Sequence, residues 1–348
     1  MVGVDDCIWG EKMMKGKYDK CYIIAEIGGN FSDYDTAKIL IDQAAECGVD
    51  AVKLQTYRAE TISSKEAVFE MENLSGISQI EYFKKYEIDE ETHRKIYEYA
   101  QSRSLDIFST PSHVTDVELL ERMGTDVYKI GADDATNIPF LKQIAKLKKP
   151  IMLSTGMCTL EEIRMAVNAI LEEGNSDIVI MHVVSLYPTP SDCVNLNAIE
   201  TLKREFPQFT IGYSDHTLGV DSCIFAAVKG ANVIEKHFTY DKAADGPDHI
   251  LSATKDEMSR LVEAIRLFEK MQGNGVKMPI KDEVKNRRNN RKSVVYTVDL
   301  NKGDIITAES VDIKRPGWGI QPKDIETLIG KTLKRDVKRD TLATWGDF

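Results

Sequence analysis

Eight short apolar, β-rich runs recur between residues 21 and 237, and most are followed by a segment with helical spacing. The runs are Cys21 to Ile27, Ala51 to Leu54, Leu105 to Phe108, Val127 to Ile130, Ile151 to Leu153, Ile178 to Val184, Thr210 to Gly212 and Val233 to Ile234. Ala37, Ile39, Leu40, Ile41, Ala44 and Ala45 fit one helical face. Leu160, Ile163, Ala166, Val167, Ile170 and Leu171 fit another, with Thr159 as a cap ahead of Glu161 and Glu162. Lys255 to Met271 reads as the last such helix. Strand-helix alternation produces parallel sheets, and eight units over about 250 residues fit a (β/α)8 TIM barrel. A doubly wound open sheet has the same periodicity and stays open as the competing arrangement.

The character of the chain changes after the eighth unit. Gly273-Asn274-Gly275, Pro279 and the polar stretch Lys285 to Lys292 read as a connecting segment. Its basic cluster (Arg287, Arg288, Arg291, Lys292) reads first as solvated and only second as a nucleic-acid contact. Short β-like runs follow, Ser293 to Val298, Ile305-Ile306 and Val311 to Lys314, punctuated by Lys302-Gly303-Asp304 and Pro316-Gly317. The division expected is an extension over 1–20, a barrel over 21–280, a linker over 281–292 and a small β-rich module over 293–348. A module of about 55 residues is marginal alone and leans on something larger.

Composition removes several classes of function. A formal net charge of −11 argues against a general nucleic-acid binder, which needs a basic field. No apolar run approaches the roughly 18 to 20 residues that span a bilayer. Asp5 and Asp6 near the start do not fit a signal peptide. Cys7, Cys21, Cys47, Cys158, Cys193 and Cys223 are scattered without a C-x-x-C pair, the pattern of thiols in a reducing, cytoplasmic setting. There is no G-x-G-x-x-G, no Walker loop and no G-x-S-x-G elbow around Ser154-Thr155-Gly156, which sets acyl hydrolysis aside.

The polar residues carry the functional signal. Parallel barrels place their chemistry at the C-terminal ends of their strands. Here those ends carry Glu26, then Lys53 and Gln55, then Ser109-Thr110, Lys129 and Ser154-Thr155. Ser185 and Tyr187 follow the sixth strand, Ser214-Asp215-His216 the seventh, and Glu235-Lys236-His237 the eighth. Singly, each has a plainer explanation. Lys53 alternates with apolar neighbours and reads alone as a solvated lysine; His216 and His237 read alone as core or capping histidines, and His182 as core. His113 is a candidate by position only. Together, two lysines at neighbouring strand ends make a pocket for a phosphate or carboxylate. Burying them without an anion would cost heavily, so the pair predicts an anionic ligand. Two neutral imidazoles at the rim could hold a divalent ion with positions left for water and substrate; Mn, Co and Zn all remain open.

In these residues the chain resembles the sialic acid (N-acetylneuraminate) synthase family, which includes legionaminic and pseudaminic acid synthases. The resemblance runs from about Tyr22 to the C-terminus, and no single piece carries it. It includes Ala25-Glu26-Ile27-Gly28, Val52-Lys53-Leu54-Gln55-Thr56, Ser109-Thr110-Pro111, Tyr128-Lys129-Ile130-Gly131 and Leu153-Ser154-Thr155-Gly156-Met157. It continues through Tyr187-Pro188-Thr189-Pro190, Gly212-Tyr213-Ser214-Asp215-His216-Thr217, Glu235-Lys236-His237-Phe238-Thr239, Gly246-Pro247-Asp248-His249 and Lys314-Arg315-Pro316-Gly317.

The resemblance implies a TIM barrel with a C-terminal antifreeze-like (SAF) domain. The implied reaction condenses phosphoenolpyruvate with N-acetylmannosamine or a related amino-sugar aldehyde. His216 and His237 would hold a divalent metal, usually Mn2+, with Mg2+ or Co2+ as alternatives. Lys53, Thr110, Lys129, Ser154 and Ser214 would grip phosphoenolpyruvate, while Glu26, Gln55, Tyr187 and Asp248 would contact the open-chain sugar. Arg315 of the partner subunit would cover the site in a domain-swapped homodimer. Glu26 is the preferred acid/base group.

The chain departs from the family where Gly-Ser-Gly-Glu is common after the fourth-strand lysine: it has Gly131-Ala132-Asp133-Asp134. Ser185 stands where some members have asparagine. An altered sugar pocket is therefore expected around Asp134 and Ser185, with a 2,4-diacetamido hexose, a 6-phosphorylated sugar or mannose as candidates. The rival enzyme is a Kdo-8-phosphate or DAHP synthase type, which the attached module and Arg315 argue against. A non-catalytic carbohydrate-binding barrel is the remaining alternative.

Overall fold

The computed structural model describes residues 20–69, 76–246 and 248–348, so the extension expected over 1–20 lies outside them except for Lys20. Two compact units are present, Met1–Gln272 and Gly273–Phe348.

In the first unit, eight parallel strands close on themselves in sequence order. They are β1 (Tyr22–Glu26), β2 (Ala51–Thr56), β3 (Asp106–Pro111), β4 (Tyr128–Ile130), β5 (Ile151–Ser154), β6 (Ile178–His182), β7 (Thr210–Asp215) and β8 (Val233–His237). Pairing of β1 with β8, including Glu26 opposite His237, makes the closure and excludes an open sheet. Outside it lie helices α1 (Tyr34–Cys47), α2 (Ala59–Ile62), α3 (Gln79–Phe83), α4 (Glu90–Ser102), α5 (Val114–Met123), α6 (Ile138–Ala145), α7 (Leu160–Glu172), α8 (Asn197–Glu205), α9 (Asp221–Val228) and α10 (Lys255–Gln272).

Local chemistry sets these boundaries. Asp33 caps α1 by accepting from the Thr36 amide, and Gly48 ends it in the left-handed conformation that a Cβ disfavours. Thr159 and Glu162 form a reciprocal capping box on α7. The buried face of α1 is Ala37, Leu40, Ile41, Ala44 and Cys47, a three-four repeat from which Ile39 departs; it is exposed. Leu171 likewise falls at the margin of the α7 face.

Strand alternation sorts the core into two layers. Residues facing outward pack with the helices in one large apolar cluster. Inside the barrel, Tyr22, Ile24, Ala51, Phe108, Met152, Val179, Met181 and Val233 form a separate apolar plug. Because side chains alternate with period two, the next inward positions toward the strand ends are Glu26, Lys53, Thr110, Ser154, Ser214, Glu235 and His237. A dry floor thus lies beneath a polar layer.

The second unit pairs β9 (Ser293–Tyr296) with β10 (Val311–Lys314) in antiparallel fashion. Its core contains Val294, Tyr296, Ile306, Val311, Leu328 and Val337. Buried Asp347 ties the chain's end down, accepting from the Tyr296 hydroxyl at 2.9 Å and the Thr344 amide at 2.7 Å. Residues Glu283–Asn290, within the stretch read as linker, form helix α11, which buries no residue. Glu283 in its first turn and Arg287 and Arg288 in its last complement the helix dipole.

Candidate active site

The strand ends surround a cavity of about 350 Å³. Lys53, Gln55, Thr110, Lys129, Ser154, Ser185, Tyr187, Ser214, His216, His237 and Asp248 all line it. Glu26 lies just beneath, fully buried in ion-pair contact with Lys53. Asp134 is not in the wall: its carboxylate accepts from Asn137 Nδ2 at 2.8 Å, ahead of α6, and Asp133 faces the cavity instead. Arg315 belongs to the second unit, where it is exposed. His113 caps α5, and His182 Nε2 donates to the Val194 carbonyl at 2.9 Å, a structural role.

The floor of the cavity is a lattice of alternating charges. Lys53 touches Glu26, donates to Thr110 Oγ1 at 3.0 Å and lies 3.9 Å from Glu235. Lys129 donates to Glu235 at 3.2 Å, and Ser214 Oγ donates to the same carboxylate at 2.9 Å. Sequence reasoning placed Glu235 at a strand end but gave it no role, although it sits two positions before His237 and so shares its face. The finding also corrects the inference that buried lysines demand an anion: two internal carboxylates already balance them.

These neighbours set the protonation states. Burial pushes the Glu26 carboxyl up to about 7, against the opposing pull of Lys53. Burial acts the same way on Glu235, but Lys129 and Lys53 overcome it and hold that group down at about 2. Lys53 is raised because Glu235 and Glu26 outweigh its burial; Lys129 is lowered because burial wins. Burial also raises Asp248 to about 7.

The two histidines meet at the rim, their ring centroids 5.4 Å apart. Val184 O lies 2.8 Å from His216 Nδ1. A carbonyl can only accept, so Nδ1 carries the proton and Nε2 keeps its lone pair. Burial lowers His216 to about 4 and, with the His216 charge next, His237 well below its usual range. His237 Nδ1 is buried without a hydrogen bond, 3.4 Å from Asp248. Two neutral imidazoles, one with an unsatisfied buried nitrogen, suit a borderline divalent cation. Among the described residues no three His, Cys, Asp or Glu side chains make a complete shell, so water and substrate oxygens would have to fill the remaining positions.

The connection between β2 and α4 adds a wall that the sequence did not announce. Tyr57, Ile62, Phe69, Tyr82, Phe83 and Tyr86 line the cavity. Their rings pack edge to face, with Tyr57–Phe83 and Phe69–Tyr82 centroids both 5.1 Å apart. Opposite, Tyr187 stacks on His216 at 4.0 Å. Behind β7 and β8, Lys236 and Asp215 form a fully buried ion pair at 2.6 Å, which ties together the strands bearing Ser214, His216, Glu235 and His237.

A model of the NeuB family matches residues 40–277, and a model of the SAF domain matches residues 291–348. An uncharacterized protein of Methanocaldococcus jannaschii is 40% identical over 96% of each chain. The N,N'-diacetyllegionaminic acid synthase of Legionella pneumophila is 39% identical over 95% of each chain. Among solved structures, the N-acetylneuraminic acid (sialic acid) synthetase of Leptospira borgpetersenii is 31% identical with a TM-score of 0.71. That match covers 77% of this chain and 90% of the other.

Proposed function

We propose, from the premise that this chain belongs to the NeuB family and ends in a SAF domain, that it condenses phosphoenolpyruvate with a hexosamine-type aldehyde. The product is a sialic-acid-type 2-keto acid, and inorganic phosphate is released. One observation carries the reading: Lys53, Lys129, His216 and His237, far apart in sequence, line a single cavity.

Lys53 and Lys129, aided by Thr110, Ser154 and Ser214, hold the phosphate and carboxylate of phosphoenolpyruvate as charge-assisted donors. His216 and His237 would hold a divalent ion, Mn2+ first and Mg2+ or Co2+ as alternatives, supplying Lewis acidity at the aldehyde oxygen. C3 of phosphoenolpyruvate then bonds to the aldehyde carbon, whose oxygen takes up a proton. Water adds at C2 with loss of a proton, and the tetrahedral centre expels phosphate by C–O cleavage. Lys53 and Lys129 stabilise the charge that gathers on the departing phosphate. Glu26, poised near neutrality beneath Lys53, is placed to supply the proton. Gln55, Tyr187 and Asp248 offer polar contacts to the sugar. Arg315 of the partner subunit completes the site in a domain-swapped homodimer.

The test is phosphate release with added Mn2+. Release that needs both phosphoenolpyruvate and an amino sugar, with a keto acid of the summed mass, is the expected result. Consumption of phosphoenolpyruvate without an aldehyde, or none with any aldose, overturns it.

A further inference from the structure

The loop that follows β6 reaches across and holds His216 at three points. Tyr187 stacks on its ring at 4.0 Å. The Val184 carbonyl accepts from His216 Nδ1 at 2.8 Å, and the Thr189 amide donates to the His216 carbonyl at 2.9 Å. The ring and the backbone of one residue are thus fixed by the two ends of a single short loop. His237 Nδ1, by contrast, is buried without a hydrogen bond.

Thr189 closes that loop. It is 5% exposed, although Pro188 and Pro190 on either side of it are exposed. Neither proline has an N–H to give, so the Thr189 amide is the one backbone donor of the three. The Thr189 hydroxyl donates to the Leu186 carbonyl at 2.8 Å. It also lies 3.3 Å from the Val184 carbonyl, the same oxygen that takes the His216 ring proton. The contacts form a circuit: His216 ring to Val184, Val184 to the Thr189 hydroxyl, and the Thr189 amide back to the His216 backbone. Remove the hydroxyl, and Val184 is tied to Thr189 only through the loop residues between them.

Resting on the reading of His216 and His237 as metal ligands, we propose that Thr189 is a positioning residue for that site. Its hydroxyl fixes the Val184 carbonyl, and through it the tautomer and ring direction of His216, before a metal arrives. Because that carbonyl can only accept, Nδ1 stays protonated and the Nε2 lone pair is left for the cation. Outer partners of this kind orient the ligand they touch, and losing one costs about 10–100-fold in metal affinity.

The test is titration of Co2+ into the metal-free protein, followed by calorimetry and by the visible spectrum of the bound ion. Thr189→Val keeps the shape and the amide donor and removes the hydroxyl. It should raise Kd for Co2+ at least about 10-fold and alter the spectrum, and Thr189→Ser should recover most of the affinity and the wild-type spectrum. Thermal protection by inorganic phosphate should be the same in all three proteins, because Lys53 and Lys129 stand on β2 and β4. Thr189→Ala removes the same hydroxyl and serves if the valine variant does not fold. Wild-type affinity in the valine variant, or no recovery with serine, overturns the proposal. A parallel loss of phosphate protection also overturns it, by making Thr189 a support of the whole cavity. A wild-type protein that takes up no Co2+ overturns the metal reading of His216 and His237 itself, and the proposal with it.

Discussion

Glu235 accepts a hydrogen bond from Lys129 at 3.2 Å inside the barrel, holding a cavity-lining lysine on an internal carboxylate. The pair is a substitute for the anion. Before substrate arrives, it keeps Lys129 charged in a place where burial alone would favour loss of its proton.

Glu235→Gln should therefore destabilise the unliganded protein by about 3–5 kcal/mol, because Lys129 loses its buried counter-charge. Inorganic phosphate should restore part of that loss and raise Tm more in the variant than in the wild type. Thermal melts with and without phosphate measure both effects. A larger phosphate shift in the wild type would mean that Glu235 does not compete for the lysine.

Lys53→Met tests the other ammonium. Phosphoenolpyruvate loses one of two fixed cations, so kcat/KM should fall about 10²–10³-fold. Lys53→Arg should recover little, since a planar fork does not fit the space of a compact ammonium held between Glu26 and Thr110. Steady-state kinetics with varied phosphoenolpyruvate, alongside circular dichroism, separates lost binding from lost folding.

The barrel was legible because its alternation of strand and helix repeats eight times and the family resemblance implied closure; the period alone also fits an open sheet. The ring of site residues was legible for a related reason: strand ends converge at one rim whichever residues occupy them. Register was harder. Val52-Lys53-Leu54-Gln55 can turn either way until β2 is locked between β1 and β3, and only then does Lys53 face inward. Glu235 stood in the strand-end ring without a role, because its partner Lys129 lies about a hundred residues away and is brought beside it only by the fold. The aromatic wall is spread over helices of four and five residues and the turns beside them, too short to show a period. Helix α11 escaped because nothing buries it, so no apolar stripe marks it.

Lys236→Met addresses support and not chemistry. It leaves Asp215 fully buried beside Tyr213, Thr217 and Ser222 without its cation. Breaking such a pair costs about 3–5 kcal/mol. Chemical denaturation should show that loss with an unchanged m-value. Any folded fraction should still bind phosphate, because Lys53 and Lys129 sit on other strands. A stability within about 0.5 kcal/mol of the wild type, the range of an ordinary surface change, would show that the pair contributes nothing.

Glu26 gives the pH dependence its sign. Its carboxyl is raised to about 7 by burial, with Lys53 and Lys129 pulling down and Glu235 pushing up. If the protonated form supplies the proton, kcat/KM must fall as pH rises through about 7, since the acid is then lost. Bound phosphoenolpyruvate adds negative charge beside the same carboxyl, which favours its neutral form, so the limb in kcat should lie at higher pH than the limb in kcat/KM. Glu26→Gln cannot give up a proton at all. It should lower the plateau about 10²–10⁴-fold and abolish the alkaline limb. pH–rate profiles of the two proteins decide the matter, and an alkaline limb that survives in the variant assigns the proton to another group.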